Sequence, residues 1–155
     1  MVLVLCVLRP FVVEAYVLPT GSMVPTIRAG ERIMVDKLEK PRRRDVVAYH
    51  VGTQVYCKRL VGLPGERLRF NDGNLYVNEQ LVIAPAVVTG RYHMMSIMRY
   101  RDGQIITLAD DEFFVVGDNV TLSYDSRMVG PSKWSSMIGV ADFLYWPMNR
   151  FQFLR

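Results

Sequence analysis

Histidine and cysteine are scarce: the 155 residues include two of each. Cys6 and Cys57 cannot build a zinc site alone, and His50 and His93 are not at ligand spacing from them, so no metal and no cofactor are expected. No disulfide is expected either, since Cys6 lies in a greasy N-terminal run and Cys57 in a strand-like one. The histidines fit no motif that sets one beside a nucleophile: His50 ends a strand-like run near Gly52, and His93 lies in the least regular stretch. A serine–histidine–aspartate hydrolase remains an alternative, with no histidine in a motif that places it. Calcium is disfavoured as well, because Asp118, Asn119 and Asp125 are not at the spacing of a calcium loop.

Long apolar runs are missing. Met1 to Leu8 are apolar, then come Arg9 and Pro10, then Phe11-Val12-Val13. A bilayer-spanning helix needs ~20 apolar residues. A cleavable export signal would have a basic residue before the run and a small-x-small cut site after it, and neither is present. The run is expected to be the C-terminal end of a spanning helix, with Arg9 and Glu14 where it leaves the hydrocarbon. A half-inserted anchor and a core strand are the alternatives. Residues 1–18 are thus assigned to a partial membrane anchor and residues 19–155 to the folded domain.

Long helical periodicity and internal repeats are absent too, whereas half the residues are apolar and turn residues are frequent. The expected architecture is mostly β with one or two short helical turns. Glu31 to Asp36, Asp45 to Val51, Gln54 to Val61, Leu68 to Phe70, Leu75 to Val77, Glu112 to Val116 and Ile138 to Trp146 are the strand candidates. Gly52-Thr53 and Asn71-Asp72-Gly73-Asn74 supply hairpin turns. Residues 84–111 are expected to form an inserted β-hairpin or flap.

The net charge of +4 is unevenly placed: residues 1–60 carry ten Lys/Arg against five Asp/Glu, and the rest carry nine against ten. The densest part, Lys37, Lys40 and Arg42 to Arg44, reads as a solvated loop or as a patch for anionic lipid head groups. No aromatic residues interleave with it, so no nucleic-acid partner is expected.

Three segments carry chemistry. In Pro19-Thr20-Gly21-Ser22-Met23-Val24-Pro25-Thr26, Pro25 turns Val24 away from helix and Gly21 permits an unusual backbone angle, which puts Ser22 on a rigid irregular loop. In Tyr56-Cys57-Lys58-Arg59-Leu60-Val61-Gly62-Leu63-Pro64-Gly65, a lysine sits inside an apolar strand. If Lys58 faces inward, desolvation disfavours its charged form, and the neutral amine is a general base for a serine hydroxyl. Gly117-Asp118-Asn119 to Ser123-Tyr124-Asp125-Ser126-Arg127 is a polar loop after an apolar strand, in which Asp125 and Arg127 can pair. Taken singly, each segment also reads as an ordinary turn, a snorkelling lysine or a solvated loop.

Together and in this order, the segments resemble bacterial type I signal peptidases (leader peptidases). Gly30-Glu31-Arg32-Ile33-Met34-Val35-Asp36-Lys37 is similar to a further motif of that family, and the resemblance runs from about Phe11 to Trp146. It implies a β domain of twisted, coiled antiparallel sheets with a small β insertion and a short apolar N-terminal anchor. It implies that Ser22 is the nucleophile and Lys58 the base, and that the Ser22 N–H and the Thr20 hydroxyl stabilise the oxyanion. Ser123 would orient the Lys58 amine, Asp125 and Arg127 would be a supporting pair, and Leu18, Pro19, Tyr56 and Cys57 would line a shallow substrate pocket. The implied activity is removal of signal peptides from exported precursors with small residues before the cut, at the extracytoplasmic face of the cell membrane, with the lipid surface as a further partner. A related maturation peptidase of a conjugative or organellar inner-membrane type, or a non-catalytic peptide-binding β domain, are the alternatives. The sequence departs from the family pattern at Thr20 (often serine), Arg44 (before Asp45, where Gly is usual), Glu66 (where Asp is usual) and Asn78-Glu79 (where Asn-Gly is frequent).

Overall fold

The computed structural model describes residues 12–82 and 99–154. Its strands are β1 (Val13–Val17), β2 (Arg32–Asp36), β3 (Val46–Val51), β4 (Gln54–Gly62), β5 (Arg67–Asn71), β6 (Asn74–Val77), β7 (Gln80–Val82), β8 (Ile105–Thr107), β9 (Glu112–Val116), β10 (Ser132–Lys133), β11 (Met137–Trp146) and β12 (Gln152–Phe153). A single-turn α-helix, α1 (Ser126–Val129), follows β9. The mostly β expectation holds.

Strands β1-β2-β11-β3-β4-β9-β10 are hydrogen-bonded in that order, with β12 added to β11, giving an eight-stranded sheet. A second, four-stranded sheet has the order β7-β6-β5-β8. The pairs are antiparallel. In the small sheet the period-2 pattern is plain: Leu68, Phe70, Leu75 and Val77 are buried, and on the other face Arg69 lies 4.6 Å over the Tyr76 ring. β3 differs. Val46 to Tyr49 are all buried, with Val46 and Ala48 in one core cluster and Val47 and Tyr49 in another. A strand covered on both faces reads as a continuous apolar run.

Gly62 is where the two sheets meet. The ladder between β4 and β9 shifts register between Leu60 and Gly62, and a Cβ at Gly62 would lie 2.6 Å from Leu68 Cδ1 and 2.9 Å from the Phe114 Cβ. Only glycine lets the small sheet pack so closely. Just beyond, Glu66 N–H donates to the Leu63 carbonyl over 3.2 Å, and Gly65 has φ 76°, so Leu63-Pro64-Gly65-Glu66 makes a tight turn with proline and glycine at its centre.

Two of the expected segments carry strands of the sheets. Val13–Val17, assigned to the anchor segment, pair with β2 from Val13↔Asp36 to Val17↔Arg32; an apolar run and an edge strand look alike until the partner is known. The described end of the expected 84–111 insertion belongs to the small sheet: β8 pairs with β5, and Ile106 and Leu108 are in the core shared with Phe70 and Phe114. Residues 1–11 and 83–98 lie outside the described residues.

Candidate active site

β1 runs into the turn that carries Ser22. That turn is closed by Val24 N–H to the Gly21 carbonyl (3.1 Å) and Ile27 N–H to the Met23 carbonyl (2.9 Å). Met23 and Ile27 are fully buried, so they fix a turn whose serine stays at the surface of a cavity. The Val24–Pro25 peptide is cis. Gly21 does not adopt a left-handed angle, and a Cβ there would meet only Val24 Cγ2 at 3.5 Å; the unusual conformation expected of it is not present.

β4 brings Lys58 to this turn. Its Nζ lies 2.5 Å from Ser22 Oγ, and the residue is 3% exposed. Burial lowers the amine from its ordinary pKa of 10.5 to about 8; the nearby Asp125 carboxylate pulls the other way and the Arg127 guanidinium adds to the drop. The Thr20 hydroxyl donates to Ser22 Oγ over 3.3 Å. The structure therefore brings together Ser22, Lys58 and Thr20.

The loop after β9 backs the serine. Asn119 N–H donates to the Ser22 carbonyl (3.0 Å) and the Asn119 amide to the Gly21 carbonyl (3.3 Å). Gly117 makes this approach possible, since a Cβ there would sit 2.5 Å from the Ser22 carbonyl oxygen and 2.2 Å from Ser123 Oγ. Ser123 is buried against Gly117, but its hydroxyl has no hydrogen-bond partner; the expected contact with the Lys58 amine is not made. Asp125 and Arg127 do pair: both side chains are fully buried, with Arg127 Nη2 2.9 Å from Asp125 Oδ2. Asp125 also caps α1 by accepting from Arg127 N–H (3.1 Å) and accepts from Gly117 N–H (3.0 Å). This pair thus shapes the loop that presses on Ser22.

One part of the site was not foreseen. Arg59, adjacent to Lys58, is buried as well. Its Nε and Nη2 donate to the two carboxylate oxygens of Asp118 over 2.6 and 2.5 Å, and its Nη1 donates to the Arg44 carbonyl over 2.5 Å. Asp118 also accepts from the Thr26 hydroxyl. This bidentate pair ties β4, the loop after β9 and the serine turn together. The signal was available: two consecutive basic residues in an apolar strand require at least one buried acid partner.

A cavity of about 530 Å³ opens in front of the pair, lined by Tyr16 to Ser22 on one side, Gln54 to Lys58 on another, and Leu122 and Tyr124. The expected pocket residues Leu18, Pro19, Tyr56 and Cys57 are all among its walls. The two main walls are strand edges. Among the described residues β1 is at the end of its sheet, and β9 pairs with β4 only from Arg59 onward, so none of them pairs with Gln54–Lys58 on that side. Burial raises the Cys57 thiol to about 12, so it is a packing group and not a nucleophile. Among the described residues no cluster of histidine, cysteine or acidic side chains is suited to a metal.

An antiparallel β domain with a hydroxyl against a buried amine, at the end of a groove between open strand edges, defines a serine peptidase by class. The chain belongs to the signal peptidase family, peptidase S26, which matches residues 1–146. It is 34% identical to a signal peptidase I of Bacillus caldolyticus, across 98% of this chain and 90% of that protein. It is 32% identical to a signal peptidase I of Leptolyngbya laminosa, across 92% and 73%. The crystal structure of a signal peptidase I from Enterococcus faecalis superimposes with a TM-score of 0.54 at 30% identity, covering 66% of this chain and 97% of that one. An inactive signal peptidase IA of Staphylococcus aureus is 26% identical across 96% of this chain and 88% of that protein. Since such a member exists, the catalytic case for this chain rests on its own side chains.

Proposed function

We propose that the protein removes signal peptides from exported precursor proteins, with Ser22 as nucleophile and Lys58 as general base. The observation that carries this reading is the contact between the Ser22 hydroxyl and a lysine amine whose burial holds its pKa near 8. Such an amine is largely deprotonated in mildly alkaline solution and accepts the serine proton as the acyl carbon is attacked. It then protonates the leaving amine and activates the water that releases the acyl group. The Thr20 hydroxyl and the Ser22 N–H are the donors for the developing oxyanion. Ser123 would orient the Lys58 amine, while Asp125 and Arg127 act by holding the loop.

A substrate in extended form adds to the open strand edges by main-chain hydrogen bonds. Its side chains near the cut face Leu18, Pro19, Tyr56 and Cys57, which favours small residues there. The domain works at a membrane, where residues 1–11 provide an apolar attachment and the catalytic domain stands on the extracytoplasmic side. Among the described residues no helix is long and apolar enough to cross a membrane. Exposed Trp146, Met148, Phe151 and Phe153, with Phe151 and Phe153 in ring contact at 5.7 Å, form an apolar surface suited to the lipid interface. The test is incubation with a precursor peptide whose signal ends in Ala-x-Ala: a single cut after that sequence is expected, and the Ser22→Ala and Lys58→Ala proteins should leave the peptide intact. Cleavage that persists in either variant would reject the assignment.

A further inference from the structure

The chain's last residues reach back to the serine turn. After β11 it passes through a short 3₁₀ turn, Met148–Arg150, into β12. β12 pairs with β11 at Phe143↔Phe153 and Leu144↔Gln152, and Leu154 is anchored by its N–H to the Asp142 carbonyl (2.9 Å) and by burial in the main core. From this support Arg150 and Gln152 point at the turn. Arg150 Nε donates to Glu31 Oε1 (2.7 Å). Its Nη2 is shared among the Glu31 Oε2 (3.2 Å), Pro25 carbonyl (3.3 Å) and Thr26 carbonyl (3.3 Å). The Gln152 amide donates to the Thr26 carbonyl over 2.8 Å. Glu31 is itself held by the Arg28 N–H at 2.7 Å.

A turn that ends without continuing into a helix leaves carbonyl groups to be satisfied by something else. Here the carbonyls of Pro25 and Thr26, three and four residues after Ser22, are satisfied by side chains over 120 residues away in sequence. On its other side the turn is held by Asn119 and by Asp118. The turn is thus gripped from both sides. Neither Arg150 nor Gln152 lines the cavity, so they touch no reacting atom. We infer that Arg150 and Gln152 form a C-terminal clasp that positions Ser22 for attack, and that they are positioning residues for the reaction proposed above, on which the inference rests. A misplacement of a nucleophile by ~1 Å can cost ~100-fold in rate, so the clasp acts on turnover and leaves substrate binding alone.

The test uses full-length Arg150→Ala, Arg150→Lys and Gln152→Ala proteins, with steady-state cleavage of an Ala-x-Ala precursor peptide as one readout. The second readout is the rate of Ser22 acylation by p-nitrophenyl acetate, followed by intact mass. Arg150→Ala is expected to lower kcat about tenfold or more, with KM unchanged within about twofold and the acid limb of the pH profile unmoved, because Lys58 keeps its surroundings. Arg150→Lys should recover part of the loss, since an ammonium can pair with Glu31 but cannot fork to the carbonyls. Unchanged kcat, a rise in KM alone, or a fall in kcat matched by an equal fall in folded fraction would overturn the clasp. If Arg150→Ala does not fold, Gln152→Ala decides: it removes one hydrogen bond and should lower kcat about threefold, and an unchanged kcat overturns the inference. A wild-type protein that leaves the peptide uncut but is acylated by the ester would sink the signal-peptide reading alone. The ester rates then test the clasp by themselves, slowed acylation supporting it and equal acylation overturning it.

Discussion

Gly117 lies against Ser22 so closely that a Cβ on the glycine would stand 2.5 Å from the serine carbonyl oxygen. Two segments 95 residues apart therefore share one contact surface with no room for a side chain. The Gly117→Ala protein must push the serine turn or the Ser123 side chain away. Overpacking of this kind costs about 1–3 kcal/mol of stability, and on the proposed role of Ser22 the displaced hydroxyl should lower kcat about 100-fold. Thermal melting and peptide cleavage on the same preparation check both halves.

Thr20 offers a sharper test of chemistry, because Thr→Val removes the hydroxyl and keeps the shape. With its Oγ1 3.3 Å from Ser22 Oγ, the hydroxyl is near where an oxyanion would form. Thr20→Val should lower kcat about 10²–10³-fold with little change in KM, and Thr20→Ser should stay active. Full kcat in the valine variant would remove Thr20 from the site.

Two departures from the family's turn pattern fall where the backbone has positive φ. Arg44 has φ 81°, and in the β6–β7 hairpin Asn78 and Glu79 have φ 49° and 65°. A left-handed backbone costs a side-chain-bearing residue about 1–2 kcal/mol, partly offset by the greater chain entropy glycine loses on folding, about 0.5–1 kcal/mol. Arg44→Gly and Glu79→Gly should each stabilise the protein by up to about 1 kcal/mol. For Glu79 the exposed pair with Arg69, at 2.9 Å, offsets little of this. Lower melting temperatures in both variants would contradict the strain assignment.

Lys58 should cost the protein stability at neutral pH. Its folded pKa, about 8, lies below the ordinary 10.5, so the unfolded chain binds the proton more tightly. The penalty is fully present below pH 8 and fades as pH rises from 8 to 10.5. Lys58→Met should therefore be inactive yet more stable than wild type by about 1–3 kcal/mol at pH 7, after allowing for the lost bond to Ser22. The gap should close toward pH 10.5. Denaturant titrations at pH 7 and 10 measure it; a gap that is constant or widens with pH would be inconsistent with a buried ammonium.

Much of this was legible in the sequence because it was local. Gly52-Thr53 and Asp72-Gly73 announce their hairpins, and the three segments that carry chemistry are read from adjacent residues. What was not legible depends on distant partners. β1 is recognisable as a strand only through β2, and β10 and β12 are two residues each, too short for any periodicity. The Arg59–Asp118 pair spans 59 positions and the Arg150–Glu31 pair 119. Strand alternation places neighbours such as Lys58 and Arg59 on opposite faces, but it does not say that both faces of β4 are covered there. Ser123 shows the converse: its motif suggested a contact with Lys58, and the side chain is buried next to the site with its hydroxyl unbonded.

The dependence of kcat/KM on pH, measured with an Ala-x-Ala precursor peptide from pH 6 to 10, tests the account most directly. If the dry amine of Lys58 is the base, activity rises through an acid limb near pH 8, the limb following the free enzyme's pKa. A profile that is level down to pH 6, or one that climbs only near the ordinary lysine value of 10.5, would contradict it.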